Sequence, residues 1–176
     1  KNAEAYEMWL KGHEYFTRST KSDYERALSL YESAVRLDPS FAGAYASIAN
    51  TCRGIYLIYG VSPNLLDRAV EAAEKVRELE GETAQYYWVM SSIALSRNDA
   101  KAALTYARNS VETDSKVAVG YSAIGSAYEA LGMKEEHVEA MEEHVRLREN
   151  DKGAHFNLVI SLHELGDQER LRIAAE

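Results

Sequence analysis

The chain is predicted to be all-α, a right-handed superhelix of about five stacked helical hairpins. Three observations predict this. The dipeptide Leu131-Gly132 returns 34 residues later as Leu165-Gly166, and small and aromatic residues recur in step with it. A fixed period of this length marks helical-hairpin repeats, because one hairpin cannot bury its apolar face alone and stacks on copies of itself. Helix breakers are scarce, with 2 prolines and 10 glycines in 176 residues. Between them, apolar residues fall at helical spacing: Leu28, Tyr31, Val35 and Leu37, then Val138, Met141, Val145 and Leu147. An ordinary helical bundle has no reason to hold a repeating step with matching slots.

The pattern predicts helices at 2–17, 22–37, 41–59, 63–80, 83–96, 99–112, 116–131, 134–148, 152–165 and 168–175. They form a single array over 1–176, with repeats at about 5–40, 41–82, 83–116, 117–150 and a partial 151–176. A short insertion around Arg18 to Lys21 separates the first two helices. Ser22-x-x-Glu25 then reads as a capping box, in which the hydroxyl and the carboxylate satisfy each other's free amide. The second helix carries Ala27, Tyr31 and Ala34 and stops at Asp38-Pro39, since proline disfavours helical geometry in the residue before it. Tyr45 lies 42 residues before Tyr87, which places an eight-residue insertion at Gly54 to Val61, between the helices of the second hairpin. Ser62-Pro63 reopens the chain with a hydroxyl cap before a proline at the first helical position. Asn98-Asp99 turns the third hairpin. In the fourth, Tyr121-x2-Ile124-Gly125-x2-Tyr128 brings a glycine where the second helix must come close, and Leu131-Gly132 ends the helix in left-handed geometry. His155, Leu158 and Leu162 continue the step into the fifth.

Composition narrows the function. The formal charge of −8 would repel a phosphate backbone, so direct nucleic-acid binding is not expected. The single cysteine, Cys52, cannot form an internal disulfide, and Ile55 to Tyr59 is too short to span a bilayer. With no charged-then-apolar leader, the expected location is cytoplasmic, with no membrane partner. Lacking an initial Met and stopping in mid-pattern at Glu176, the sequence reads as a segment of a longer protein.

These spacings resemble the tetratricopeptide repeat family. The resemblance extends to a bacterial subgroup through Ala5-Tyr6-x2-Trp9-Leu10-x-Gly12, Ala34-x-Arg36-Leu37-Asp38-Pro39-Ser40-Phe41-Ala42, Ala44-Tyr45-Ala46-x-Ile48-Ala49, Ile58-Tyr59-Gly60-x2-Pro63 and Ala69-x3-Ala73. In that subgroup such arrays form the carboxy-terminal part of class III adenylate or guanylate cyclases or of winged-helix transcriptional regulators. Gly81 and Ser115 stand where the family has a helix-ending proline.

The resemblance implies that the first helix of each hairpin lines a concave groove with its second, fifth, ninth and twelfth positions. Here these are Tyr6, Trp9, His13 and Phe16, then Gly43, Ala46, Asn50 and Arg53. The third repeat gives Gln85, Trp88, Ser92 and Leu95, and the fourth Val119, Ser122, Ser126 and Glu129. The fifth adds Phe156 and His163. A protein or peptide with apolar anchors suits such a wall, because buried tryptophan and tyrosine dominate interface energies. Trp9 and Trp88 read equally as core packing. Asn50 and Arg53 alone cannot build the multidentate cage of a chaperone-type carboxylate clamp.

His137 and His144 occupy slots that are alanine in the family, with His155 at the next aromatic slot. Their seven-residue separation is poor for a metal, so packed histidines that change the local superhelix pitch are expected. The run Glu135 to Glu143 reads as a solvated helix face, and Cys52 as a buried structural thiol. No phosphate loop, nucleophile–base arrangement or cysteine cluster appears, so no catalytic residue, cofactor or metal is assigned. The expected function is non-catalytic capture of a peptide, helix or neighbouring domain within a larger bacterial signalling or transcriptional regulator. The alternative is a homodimer paired through the last helix (Leu171, Ile173, Ala174, Ala175).

Overall fold

A computed structural model describes residues 2–60 and 64–174. Among the described residues there are ten helices and no strand: α1 (Ala3–Phe16), α2 (Lys21–Leu37), α3 (Ala42–Tyr59), α4 (Asn64–Glu80), α5 (Ala84–Ser96), α6 (Ala100–Thr113), α7 (Ala118–Leu131), α8 (Lys134–Leu147), α9 (Lys152–Leu165) and α10 (Gln168–Ala174). Each helix packs on the next. The first helices of successive hairpins also touch, α3 on α5 and α5 on α7. No second helix packs on the next second helix to that extent, so α3, α5 and α7 form a shared inner wall.

Helix ends follow local chemistry. The Asn2 side chain accepts from the Glu4 and Ala5 amides at 3.0 and 3.3 Å and donates to the Leu37 carbonyl at 3.0 Å. One residue thus caps α1 and closes the end of α2. Gly132 and Gly166 end α7 and α9 with φ of 74° and 81°, as the repeated Leu-Gly predicts. Asn98 takes a φ of 59°, and Asp99 caps α6 by accepting from the Ala102 amide at 3.0 Å. Gly81, at φ 80°, ends α4 without the family proline.

The expected Ser22–Glu25 capping box is not what opens α2. The cap is Thr20, whose hydroxyl oxygen accepts from the Asp23 amide at 3.2 Å. The same Ser/Thr-x-x-acid pattern occurs two residues earlier, and the left-handed Ser19 (φ 60°) turns the chain there. The insertion after residue 54 is helix as far as Tyr59, so α3 has 18 residues against 14 in α7, and Gly60 ends it at φ 61°. The Ser62-Pro63 cap lies outside the described residues.

The repeat slots pack as their sizes demand. A Cβ on Gly12 would stand 2.6 Å from the Tyr31 ring, and one on Gly125 would stand 3.1 Å from the Met141 sulfur. Ala27, Ala34, Ala69, Ala103 and Ala107 are fully buried. Polar substitutes are satisfied: Ser91 donates to the Ala103 carbonyl at 2.9 Å and Ser110 to the Ala84 carbonyl at 2.8 Å. Cys52 is buried, which pushes its thiol up to about 11 and leaves little thiolate near neutrality. The apolar core falls into separate clusters. A large one spans α2 to α5, and a smaller one joins Val138, Met141, Leu158 and Leu162 at the carboxy-terminal end.

His137 bridges the fourth and fifth hairpins. Its Nδ1 donates to the Gly125 carbonyl at 2.8 Å, and its Nε2 lies 2.8 Å from the Ser161 hydroxyl. With both nitrogens engaged by protein, the ring has no lone pair free for a metal. His144 is half-buried, and its Nδ1 lacks a partner. Burial holds its pKa below the ordinary imidazole value; the nearby Asp151 carboxylate opposes this and Arg148 adds to it. The unfolded chain therefore protonates first as the pH falls, so this group's stabilisation, present above the ordinary value, is lost below it. The urea midpoint should decline from about pH 8 to pH 5, and His144→Ala should flatten part of that slope. An unchanged slope would assign the decline to other groups. Asp38, Asp151 and Asp167 are also lowered, chiefly by the Ser40 hydroxyl and by the Ala154 and Arg170 amides, but titrate in the lower carboxylate range.

Candidate binding groove

Spacing of three and four residues puts Tyr6, Trp9, His13 and Phe16 on one face of α1. Their rings form a ladder, with centroid separations of 5.5, 5.9 and 6.4 Å and interplanar angles of 28°, 23° and 15°. Phe41 tilts against Trp9 at 5.8 Å, and the Trp9 indole donates to Ser47 of α3 at 2.9 Å. Packing and bonding across two hairpins hold the ladder rigid.

Beside it lies a cavity of about 600 Å³, lined by Trp9, His13 and Phe16 of α1, Asn50 and Arg53 of α3, and Gln85 and Trp88 of α5. Gly43 and Ala46 leave the space open between them. A second cavity, of about 360 Å³, continues along α5 and α7 past Ser92, Leu95, Ser122 and Ser126. Arg53 and Trp88 line both, so the two cavities meet at these side chains. Trp9 and Trp88 pack on the core and also face the hollow, so both readings of these tryptophans apply.

The remaining expected groove residues lie outside these hollows. Tyr6 is 49% exposed at the rim, and Phe156 is 64% exposed on α9 and lines neither cavity. Val119, Glu129 and His163 also line neither. Conversely, Tyr31, Val76 and Glu80 line the first cavity from second helices, and Ser47 lines it from α3. The period could reveal these only if second helices were counted as wall. Leu57, from the lengthened end of α3, lines the second cavity.

Electrostatics single out the middle of the groove. Arg68, Arg77, Arg97, Arg146 and Arg170 are each paired with a carboxylate. Among the described residues no ion pair or side-chain hydrogen bond reaches Arg53, and its buried Nε lacks a partner. Burial lowers its pKa, with a smaller opposing effect from Tyr24, yet an arginine stays charged. The neighbouring Asn50 Oδ1 is likewise buried without a partner. Burial pushes the Tyr31 phenol under the floor up to about 12, so it stays neutral.

Among the described residues no group of three His, Cys, Asp or Glu could hold a metal. No described helix is long and apolar enough to cross a membrane. On α10, Leu171 and Ala174 pack onto the carboxy-terminal cluster, which leaves Ile173, 62% exposed, as the outward apolar residue. Ala175 lies outside the described residues.

Comparison with known proteins agrees with this architecture. A family model described as tetratricopeptide repeat matches residues 118–151, the hairpin of α7 and α8. No curated protein matches the sequence. Among solved structures, the chain is similar to Pseudomonas aeruginosa pilF (TM-score 0.73, 16% identity, covering 97% of this chain and 73% of that one). It is also similar to TTC0263, a thermophilic tetratricopeptide repeat protein of Thermus thermophilus (TM-score 0.71, 16% identity, 96% and 95%). A third is YrrB, a repeat protein of the same type with an unusual peptide-binding site (TM-score 0.53, 18% identity, 95% and 80%). At these identities the similarity establishes the α–α superhelix.

Proposed function

We propose that this tetratricopeptide array captures a peptide or helical segment of a partner protein in its concave groove, without catalysis, as part of a larger bacterial regulator. The tetratricopeptide fold is a protein-interaction fold. The observation that carries the groove reading is the pair of joined cavities walled by the first helices α1, α3, α5 and α7, with Trp9 and Trp88 projecting from α1 and α5. The mechanism is pre-organisation. The aromatic ladder and the Trp9–Ser47 bond fix the Trp9 anchor before a ligand arrives, so little ordering entropy is lost there on binding.

The test selects phage-displayed random dodecapeptides against the chain and titrates the enriched sequences by tryptophan fluorescence. Trp88→Ala should weaken the selected peptides by about 30-fold or more, the scale of an interface anchor, while helicity is retained. Unchanged affinity in that variant would remove the groove from the mechanism.

A further inference from the structure

Among the described residues, the arginine in the middle of the groove has no ion-pair or hydrogen-bond partner. Arg53 is half-buried and its Nε is buried without a partner; such a group costs stability, and natural chains keep such groups bonded or give them another use. In this chain five other arginines have carboxylate partners. Arg18, Arg26 and Arg108 lie over tyrosine rings instead. Among the described residues Arg53 has neither, although Glu80 lines the same cavity. The chain as a whole is acidic, at −8, so a firm cation inside the hollow is a local reversal of sign. Resting on the groove reading above, we propose that the occupant is an internal segment of a partner protein carrying an acidic side chain beside an apolar one, the carboxylate seated on Arg53 and the apolar group against Trp88.

Geometry favours an internal segment over a chain end. The cavities continue on both sides of Arg53, towards Trp9 and Phe16 in one direction and towards Ser122 and Ser126 in the other. A chain lying in both must pass Arg53 rather than stop at it. Asn50, its side-chain oxygen buried and unbonded next to this point, offers an acceptor for a backbone amide of the passing chain. A guanidinium donates in a planar fork, which suits a side-chain carboxylate in two-point contact.

Removing this arginine should therefore move stability and binding in opposite directions. Arg53→Met keeps the apolar stem and loses the charge, so its thermal midpoint should rise above that of the wild type. Its affinity for the selected dodecapeptides, which are tethered at their carboxy-terminus and present no free carboxylate there, should fall by about 30-fold or more. Replacing the glutamate or aspartate of a selected peptide by its amide should cost the wild type a similar factor and cost Arg53→Met nothing further. Four outcomes overturn the proposal: selected peptides without a shared acid, unchanged affinity in Arg53→Met, a lowered thermal midpoint that assigns the arginine to the fold, or binding confined to synthetic peptides with a free carboxy-terminus. If affinity is lost in Trp88→Ala but kept in Arg53→Met, the groove stands and the acidic specificity falls. If both variants bind normally, the groove reading itself falls.

Discussion

Tyr31→Ala is expected to lower stability by about 3–5 kcal/mol, the cost of truncating a fully buried aromatic side chain. Tyr31 is 1% exposed, packs against Gly12 and floors the 600 Å³ cavity. Truncation would merge the new void with that cavity and leave the Trp9 ladder unsupported. Because hairpins contact mainly their neighbours, the loss should concentrate in the first two. Urea unfolding followed by tryptophan fluorescence should then precede unfolding followed by far-ultraviolet dichroism, since both tryptophans lie in the first three hairpins. Tyr31→Phe keeps the ring and should cost far less. Equal losses in the two variants would show that the hydroxyl, not the packing, supports the floor.

Leu162→Ala is expected to cost about 2–5 kcal/mol at the opposite end. Leu162 is 1% exposed in the cluster with Val138, Met141 and Leu158, which also receives Leu171 and Ala174 of α10. This cluster is separate from the one containing Tyr31. Here the dichroism midpoint should fall first, while the tryptophan signal holds. The double variant should show the two losses added, as distant sites do. A strong deviation from additivity, or one shared transition in both variants, would mean that the array unfolds as a single unit.

The helices were legible because the repeat sets their length and spacing, and the glycines after Leu131 and Leu165 mark their ends. The opening of α2 was not, because Thr20-x-x-Asp23 and Ser22-x-x-Glu25 satisfy the same local rule. The backbone turn at Ser19, a property of how the hairpin closes, decides between them. The groove was legible where one helix face suffices, as for Trp9, Asn50, Arg53, Trp88 and Ser122. It was not legible for Val76 and Glu80, which reach the cavity from the end of a second helix. Phe156 fits the period, but neither groove cavity extends to it. The role of His137 depends on Ser161, 24 residues away on the next hairpin, and no local spacing indicates that pairing. Arg53 was visible as a cation, but its isolation among the described residues emerges only in three dimensions.

The clasp at Asn2 couples two helix ends through one carboxamide. Its oxygen holds the first turn of α1 and its nitrogen holds the last carbonyl of α2. Fraying at either end therefore breaks the same latch, and the margin of the array opens as a pair of strands of a zip would, both sides together.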